Sequence, residues 1–371
     1  MLPTGTDYAG SLTDVVPSLL ASIGVDNFTN SLDFPHATST VLVLVDGLGE
    51  ENMVSARGHA RFLLSSNHER RVISTVFPST TAAALVSLMT GEFPGQHGIA
   101  GYRILEPESG HVISQLTELG SAPTSWMSST LLAERLEGRA DVFVVGRTKF
   151  ADSALTKTVY RGATYVASES FAERCATASD LARTSGRLVL VYASELDSAA
   201  HKFGVASSKW TDALELVDSG LQDLRRTLPV TVSIVVTADH GVLDVSEGQH
   251  IVFERGVLTE GVTHVGGEPR CLQLYLESPG HLDAVVREWR SAHSDVAHVL
   301  TRNEVIESGV LGRVAESVIP RLGDVFVMAH GNVVFYDGRE LNTSPQRMVG
   351  QHGSLSSTEM RIPLVELRHS A

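Results

Sequence analysis

The segment STVLVLVDG, Ser39 to Gly47, decides how the rest of the chain is read. Its first seven residues carry no charge, and five of them are Val or Leu. A strand with one face in water would alternate apolar and polar side chains. A continuous β-branched and Leu run instead marks a strand buried on both faces, as in a parallel sheet covered by helices. Comparable runs recur at RLVLVYA (Arg187–Ala193), VSIVVTA (Val232–Ala238) and DVFVMA (Asp324–Ala329). Between them lie helical patterns such as Thr211–Leu228, where Leu214, Val217, Leu221 and Leu224 follow helical spacing. Strands alternating with helices predict an α/β domain with helices on both faces of the sheet.

Two stretches interrupt that rhythm. Residues from about Leu105 to Ala182 are rich in Ser, Thr and Glu and give weaker strand signals. The segment 252–313 contains PRCLQLYLESPGHLDAVVREWRSA (Pro269–Ala292), which reads as a strand, a Gly turn and an amphipathic helix. The expected organisation is a core of residues 1–251 and 314–371 with a small α+β cap inserted at 252–313.

The 371 residues include 29 Lys and Arg against 43 Asp and Glu, a net charge of −14. That balance argues against a protein that coats the phosphates of long nucleic acid. Small phosphate esters stay open, because bound metal ions can supply positive charge locally. Two cysteines, Cys175 and Cys271, suit a reducing compartment and offer no zinc-type pair. The N-terminal MLPTGTDYAGSLTDVVPSLL lacks the basic-then-apolar order of a secretion signal, and no 18-residue apolar run occurs. The expectation is a cytoplasmic protein without a membrane span, with homo-oligomerisation left open.

Chemistry-bearing residues gather at the ends of the apolar runs. Asp46 directly follows the first, at the carboxyl end of the sheet where α/β folds place their sites. Asp239 and His240 follow VSIVVTA, and Gly241 lets the chain turn there. After RLVLVYA come Asp197 and His201, at i and i+4 on one face of a helical turn. His352 lies in Gly350-Gln351-His352-Gly353-Ser354, near the C-terminus. Each has a bland alternative: a turn or capping Asp, a surface Asp–His pair, a solvated loop His. Three carboxylates and three histidines, with every Asp just beyond a strand, are harder to dismiss together. Six N and O donors divide into two sets of three, and a two-metal site serves in-line phosphoryl displacement. His nitrogen with Asp oxygen suits zinc, with manganese or iron as alternatives.

These motifs resemble the alkaline phosphatase superfamily and, within it, the type I phosphodiesterases/nucleotide pyrophosphatases. The matching pieces are VDG (Val45–Gly47), PSTT with TGEFPGQHGI (Pro78–Ile99), ELDSAAHKFG (Glu195–Gly204), TADHG (Thr237–Gly241) and GQHGS (Gly350–Ser354), in family order. The resemblance implies an alkaline-phosphatase-like three-layer α/β/α sandwich with a mostly parallel central sheet and a cap insertion. It implies one divalent metal on Asp197, His201 and His352, and a second on Asp46, Asp239 and His240 with the nucleophile as a further ligand.

The family nucleophile lies nine residues before the Thr of the T-G-x-x-P-x-x-H-G-I segment. Here that Thr is Thr90, which points to Thr81, with Thr80 as runner-up. The implied activity is hydrolysis of phosphodiester or pyrophosphate bonds in small, nucleotide-like substrates through a phospho-threonine. Where related phosphodiesterases carry an Asn for a phosphate oxygen, this chain has Tyr102, followed by Arg103. Those two are the expected substrate-binding residues, and the departure weakens the preference for diesters. The alternatives are a phosphomonoesterase or a phosphonoacetate-type C–P hydrolase, and, from another class, an inactive metal-stabilised binding protein.

Overall fold

The structure is a computed structural model that describes residues 10–118, 127 and 129–369. Eleven strands build its two larger sheets. They are β1 (Ser39–Val45), β2 (Glu69–Ser74), β3 (Asp141–Gly146), β4 (Thr164–Ala167), β5 (Arg187–Ala193), β6 (Val232–Thr237), β7 (Val262–Glu268), β8 (Cys271–Leu276), β9 (Ala297–Thr301), β10 (Val325–Ala329) and β11 (Arg361–Glu366). The helices used below are α1 (Leu12–Ser22), α2 (Thr81–Thr90), α3 (Phe171–Ala182), α4 (Glu195–Phe203), α5 (Ser208–Thr227) and α6 (Leu282–His293).

The central sheet has seven strands in the order β2-β11-β6-β1-β5-β3-β4. Only β11 runs against its neighbours; every other pairing is parallel. All seven residues of β1 are buried, as a strand covered on both faces requires. The helices form where the sequence supplies both an apolar stripe and a start signal. Ser170 and Glu173 close a capping box at the head of α3, and Ser207 accepts from the Trp210 amide to cap α5. Leu214, Val217, Leu221 and Leu224 of α5 are all buried. Among the described residues no helix is long and apolar enough to cross a membrane.

The second sheet is antiparallel, in the order β7-β8-β10-β9. Its third strand is the DVFVMA run, which reads from sequence as one more strand of the central sheet. It lies in the smaller sheet because that sheet, too, is covered on both faces. Phe326 and Met328 pack into the main core, while Val325, Val327 and Ala329 pack into a second core around Trp289 of α6. A continuous apolar run reports two covered faces and does not say which sheet they belong to. The layer read as 252–313 therefore continues past Arg313 to take in β10.

Arg270, between β7 and β8, fastens the small sheet to the chain's last segment. Its buried guanidinium donates to both Glu359 carboxylate oxygens at 2.9 and 2.8 Å and to the carbonyls of Gly331 and Val333. A short antiparallel ladder, Leu243–Asp244 with Gly350–Gln351, places His352 beside the end of β6.

Candidate metal centre

Strand order determines what meets. β1 is flanked by β5 and β6, so the carboxyl ends of these three parallel strands are neighbours. Asp46 leaves β1, Asp197 stands in the first turn of α4 just beyond β5, and Asp239 and His240 follow β6. The close approach of these segments needs glycine. Gly47 has φ +74°, its amide donates to Asp239 Oδ1 at 3.1 Å, and a Cβ there would press on the Asp197 backbone at 3.2 Å. At Gly241 a Cβ would lie 1.9 Å from the Thr358 carbonyl oxygen.

Two clusters result. Asp46, Asp239 and His240 form one, wholly buried; Asp197, His201 and His352 form the other, half-buried. Within each, one donor atom per residue lies within 4.8 Å of the others. The imidazoles are oriented from behind. The Nδ1 of His201 lies 2.8 Å from the Gly350 carbonyl, that of His352 2.8 Å from the Ser79 carbonyl, and that of His240 3.3 Å from the Gly241 carbonyl. Donating Nδ1–H to a carbonyl leaves the Nε2 lone pair free to bind a cation. Burial pushes the His240 imidazole down to about 3 and His352 well below the usual range, so both rings are neutral.

The carboxylates complete the arrangement. One oxygen of Asp46 accepts from the Tyr192 phenol, and Asp239 Oδ1 accepts from the amides of Gly47 and His240. Asp46 Oδ1, Asp239 Oδ2 and Asp197 Oδ1 are buried with no hydrogen-bond partner. These oxygens face imidazole nitrogens: His240 Nε2 is 3.5 Å from both Asp46 Oδ1 and Asp239 Oδ2, and His201 Nε2 is 3.3 Å from Asp197 Oδ1. A cation placed between these donor atoms would satisfy both the oxygens and the nitrogens. Burial and mutual repulsion push Asp197 up to about 7 and Asp46 well above the carboxylate range; burial alone dominates for Asp239, also about 7. The residues present therefore fit two divalent ions bound through nitrogen and oxygen.

The three hydroxyls after Pro78 separate cleanly. Ser79 accepts from the Gly353 amide at 3.1 Å and donates to the Ser354 carbonyl at 2.8 Å, so it holds the His352 loop. Thr80 occupies the N-cap position of α2 without a side-chain cap bond. Thr81, the first residue of α2, places Oγ1 3.2 Å from His240 Nε2. Thr80 and Thr81 both line a cavity that also touches Asp46, Asp197, His201 and His352.

Tyr102 lines that cavity, whereas Arg103 does not. Successive residues entering a strand point to opposite sides, and the Arg103 guanidinium pairs with Glu340. The substrate contact expected of Arg103 is thus absent from the cavity wall. His97 is structural: fully buried, it contacts Ser87 Oγ through Nε2 at 2.8 Å and accepts from the Ile99 amide. Tyr192 and Glu268 are among the cavity residues that escape sequence reasoning. Tyr192 hides as one more apolar letter in RLVLVYA, although its place at the carboxyl end of the strand beside Asp46 was a usable signal. Glu268, before Pro269, gave no signal at all. It is buried, accepts from the Tyr102 amide at 3.2 Å, and has its other oxygen unpartnered.

Comparison with known proteins agrees with this geometry. Residues 40–355 match the family model described as type I phosphodiesterase / nucleotide pyrophosphatase. An uncharacterized pyrophosphatase/phosphodiesterase of Schizosaccharomyces pombe is 24% identical over 263 residues, 68% of this chain and 50% of the relative. The chain thus spans about half the length of the curated relative it matches. Among solved structures, the murine ectonucleotide pyrophosphatase/phosphodiesterase 5, an inactive variant in complex with AMP, superimposes with a TM-score of 0.66 at 19% identity. That match covers 88% of this chain and 87% of the other. Phosphonoacetate hydrolase from Sinorhizobium meliloti in complex with phosphonoformate gives 0.69 at 18% identity, covering 90% and 91%. At these identities the likeness shows the shared fold.

Proposed function

This chain belongs to the type I phosphodiesterase/nucleotide pyrophosphatase family, and from that membership we propose that it is a metal-dependent hydrolase of phosphodiester or pyrophosphate bonds in small substrates. The observation that carries the reading is the pairing of two Asp/His clusters with one hydroxyl, Thr81 Oγ1, 3.2 Å from a ligand nitrogen of one cluster. Asp197, His201 and His352 would hold one divalent ion, and Asp46, Asp239 and His240 the other, with Thr81 as a further ligand. Two such ions, when bound, stabilise the attacking and leaving oxygens and make a hydroxyl acidic enough to react near neutral pH. The mixed nitrogen and oxygen donors favour zinc, ahead of manganese and iron.

The chain's own groups do the rest. Thr81 gives up its hydroxyl proton to water and its Oγ1 attacks phosphorus in line as the bond to the leaving alcohol or phosphate oxygen breaks and that oxygen takes up a proton; water then cleaves the phospho-threonine and returns a proton to Oγ1. The amides of Thr81, Ala82 and Ala83 precede the first intrahelical bond of α2, from Ala84 N to the Thr80 carbonyl. They are available to a phosphoryl oxygen at the positive end of the helix. Tyr102, which lines the cavity, is the side chain that would contact the bound ester. Two unpaired, buried cysteines are compatible with the cytoplasm as the compartment.

The test is metal analysis of the purified protein together with rates on bis-p-nitrophenyl phosphate and p-nitrophenyl phosphate. We expect close to two ions per chain and a faster diester reaction. A monoester rate far above the diester rate would overturn the phosphodiesterase assignment. Absence of both bound metal and hydrolysis, with zinc or manganese added, would favour the inactive binding protein.

A further inference from the structure

Two of the three donors in the half-buried cluster stand on one helix. Asp197 and His201 lie in α4, and His352 follows the Gly350–Gln351 strand of the short ladder. For the three to share an ion, α4 must keep its position against that strand. Its first residue, Glu195, pairs with the buried Arg174 of α3, which anchors the end that carries Asp197. The other end, which carries His201, is held by a carboxylate that belongs to neither cluster.

That carboxylate is Asp244. Its Oδ1 accepts from the Val205 amide at 2.7 Å and its Oδ2 from the Ala206 amide at 3.2 Å. Both amides lie in the turn after α4, which Gly204 opens at φ +83°. The seat is close: a Cβ on Gly204 would lie 2.7 Å from Asp244 Oδ2. Amide hydrogen bonds to a charged acceptor are about twice as strong as neutral ones, which suits a clamp made by one side chain. The backbone of Asp244 does a second job, pairing in register with Gly350. Gly350 offers its carbonyl to His201 Nδ1 at 2.8 Å, and the Val349 amide donates to the His201 carbonyl at 2.9 Å. Asp244 therefore grips the turn beyond His201 while carrying the strand that orients His201 and leads, two residues on, to His352.

The buried cluster is steadied by other groups. Asp46 and Asp239 are held by the Tyr192 phenol and the amides of Gly47 and His240. Between His240 and Asp244 the chain is pinned on its own account. Asn52 closes two hydrogen bonds on Val242, and the Gly241 amide donates to the Glu359 carbonyl. Loosening the turn at Val205 thus leaves His240 where it is. We propose that Asp244 is a positioning residue for the ion that Asp197, His201 and His352 would hold, acting through His201 and the His352 strand, and that the other ion is indifferent to it. The proposal deepens the two-metal reading above and rests on it.

The test compares wild type, Asp244→Ala, Asp244→Asn and His201→Ala as full-length, zinc-loaded proteins, with both zinc affinities read by competition against a chromophoric chelator. Asp244→Ala should weaken one of the two ions about 10- to 100-fold and leave the other unchanged. Asp244→Asn, which keeps one acceptor oxygen and so the better part of the turn, should fall between Asp244→Ala and wild type. In the double variant Asp244→Ala/His201→Ala the remaining ion should bind as it does in His201→Ala alone, because the group through which Asp244 acts is already gone. A role confined to holding the fold together would weaken both ions, and would weaken the ion left in His201→Ala; either result overturns the proposal, and so do unchanged affinities. If the selective loss appears in a protein that cleaves no ester, the hydrolase reading fails and the role of Asp244 stands. If esters are cleaved and Asp244→Ala holds both ions as tightly as wild type, the role fails and the hydrolase reading stands.

Discussion

Replacing Asp197 by Asn should stabilise the metal-free protein while removing a metal ligand. Without an ion, the Asp197 carboxyl is buried near Asp46 with one oxygen unpartnered, and its pKa is raised from 3.8 to about 7. A carboxyl whose pKa is higher folded than unfolded binds more protons in the folded state, so its presence costs stability as pH rises through that interval. The cost begins near pH 4 and is complete above about pH 7. A shift of about 3 units at roughly 1.36 kcal/mol per unit gives about 4 kcal/mol. Proton uptake by Asp46 relieves part of the repulsion, so the expected gain for Asp197→Asn at pH 8.5 is about 2–4 kcal/mol. At pH 4.5 only about 0.7 unit of the interval has been crossed, and the gain should be below about 1 kcal/mol. Urea unfolding of chelator-treated wild type and variant at the two pH values measures both. An unchanged midpoint at pH 8.5, or an equal gain at both, would refute the claim that an uncompensated buried charge is what the ion relieves. With zinc present the order should reverse, because only the wild type keeps all three ligands of that cluster.

Three other expectations concern the same neighbourhood. Thr81→Ala should lower kcat by about 10⁴-fold or more with metal content unchanged, whereas Thr80→Ala stays within about tenfold; single-turnover rates and metal analysis decide, and a reversal would make Thr80 the nucleophile. Tyr192→Phe removes the phenol that orients Asp46 and should weaken metal binding about 10- to 100-fold in a chelator competition. Arg270→Met leaves the fully buried Glu359 charge without its partner and should cost about 3–5 kcal/mol in denaturant unfolding, with the double variant Arg270→Met/Glu359→Gln recovering part of it.

Much of this arrangement is legible in the sequence, for a physical reason. Parallel strands buried on both faces leave an unbroken apolar signature, and an α/β sheet gathers its chemistry just beyond their carboxyl ends. Asp46, Asp197 and Asp239 could therefore be picked out by position, and the structure brings each into a cluster with the histidines chosen alongside. What stayed hidden depends on facts that no local pattern carries. DVFVMA has the same signature as β1, so sheet membership was beyond it. Arg103 follows Tyr102 in sequence, but strand geometry sends the two side chains to different sides. Tyr192 and Glu268 matter because of what lies across space from them, Asp46 in one case and Tyr102 in the other. The role of Ser79 is likewise long-range: its two hydrogen bonds reach residues more than 270 positions away.

The double allegiance of β10 has a consequence for how this molecule could change over time. Because alternate side chains of one strand serve two interiors, the smaller sheet is not a detachable module clipped onto an older core. Excising it would take Phe326 and Met328 out of the main core and leave the space they fill open. The same weld denies the protein a hinge between the layers, since swinging the small sheet away would expose both interiors at once.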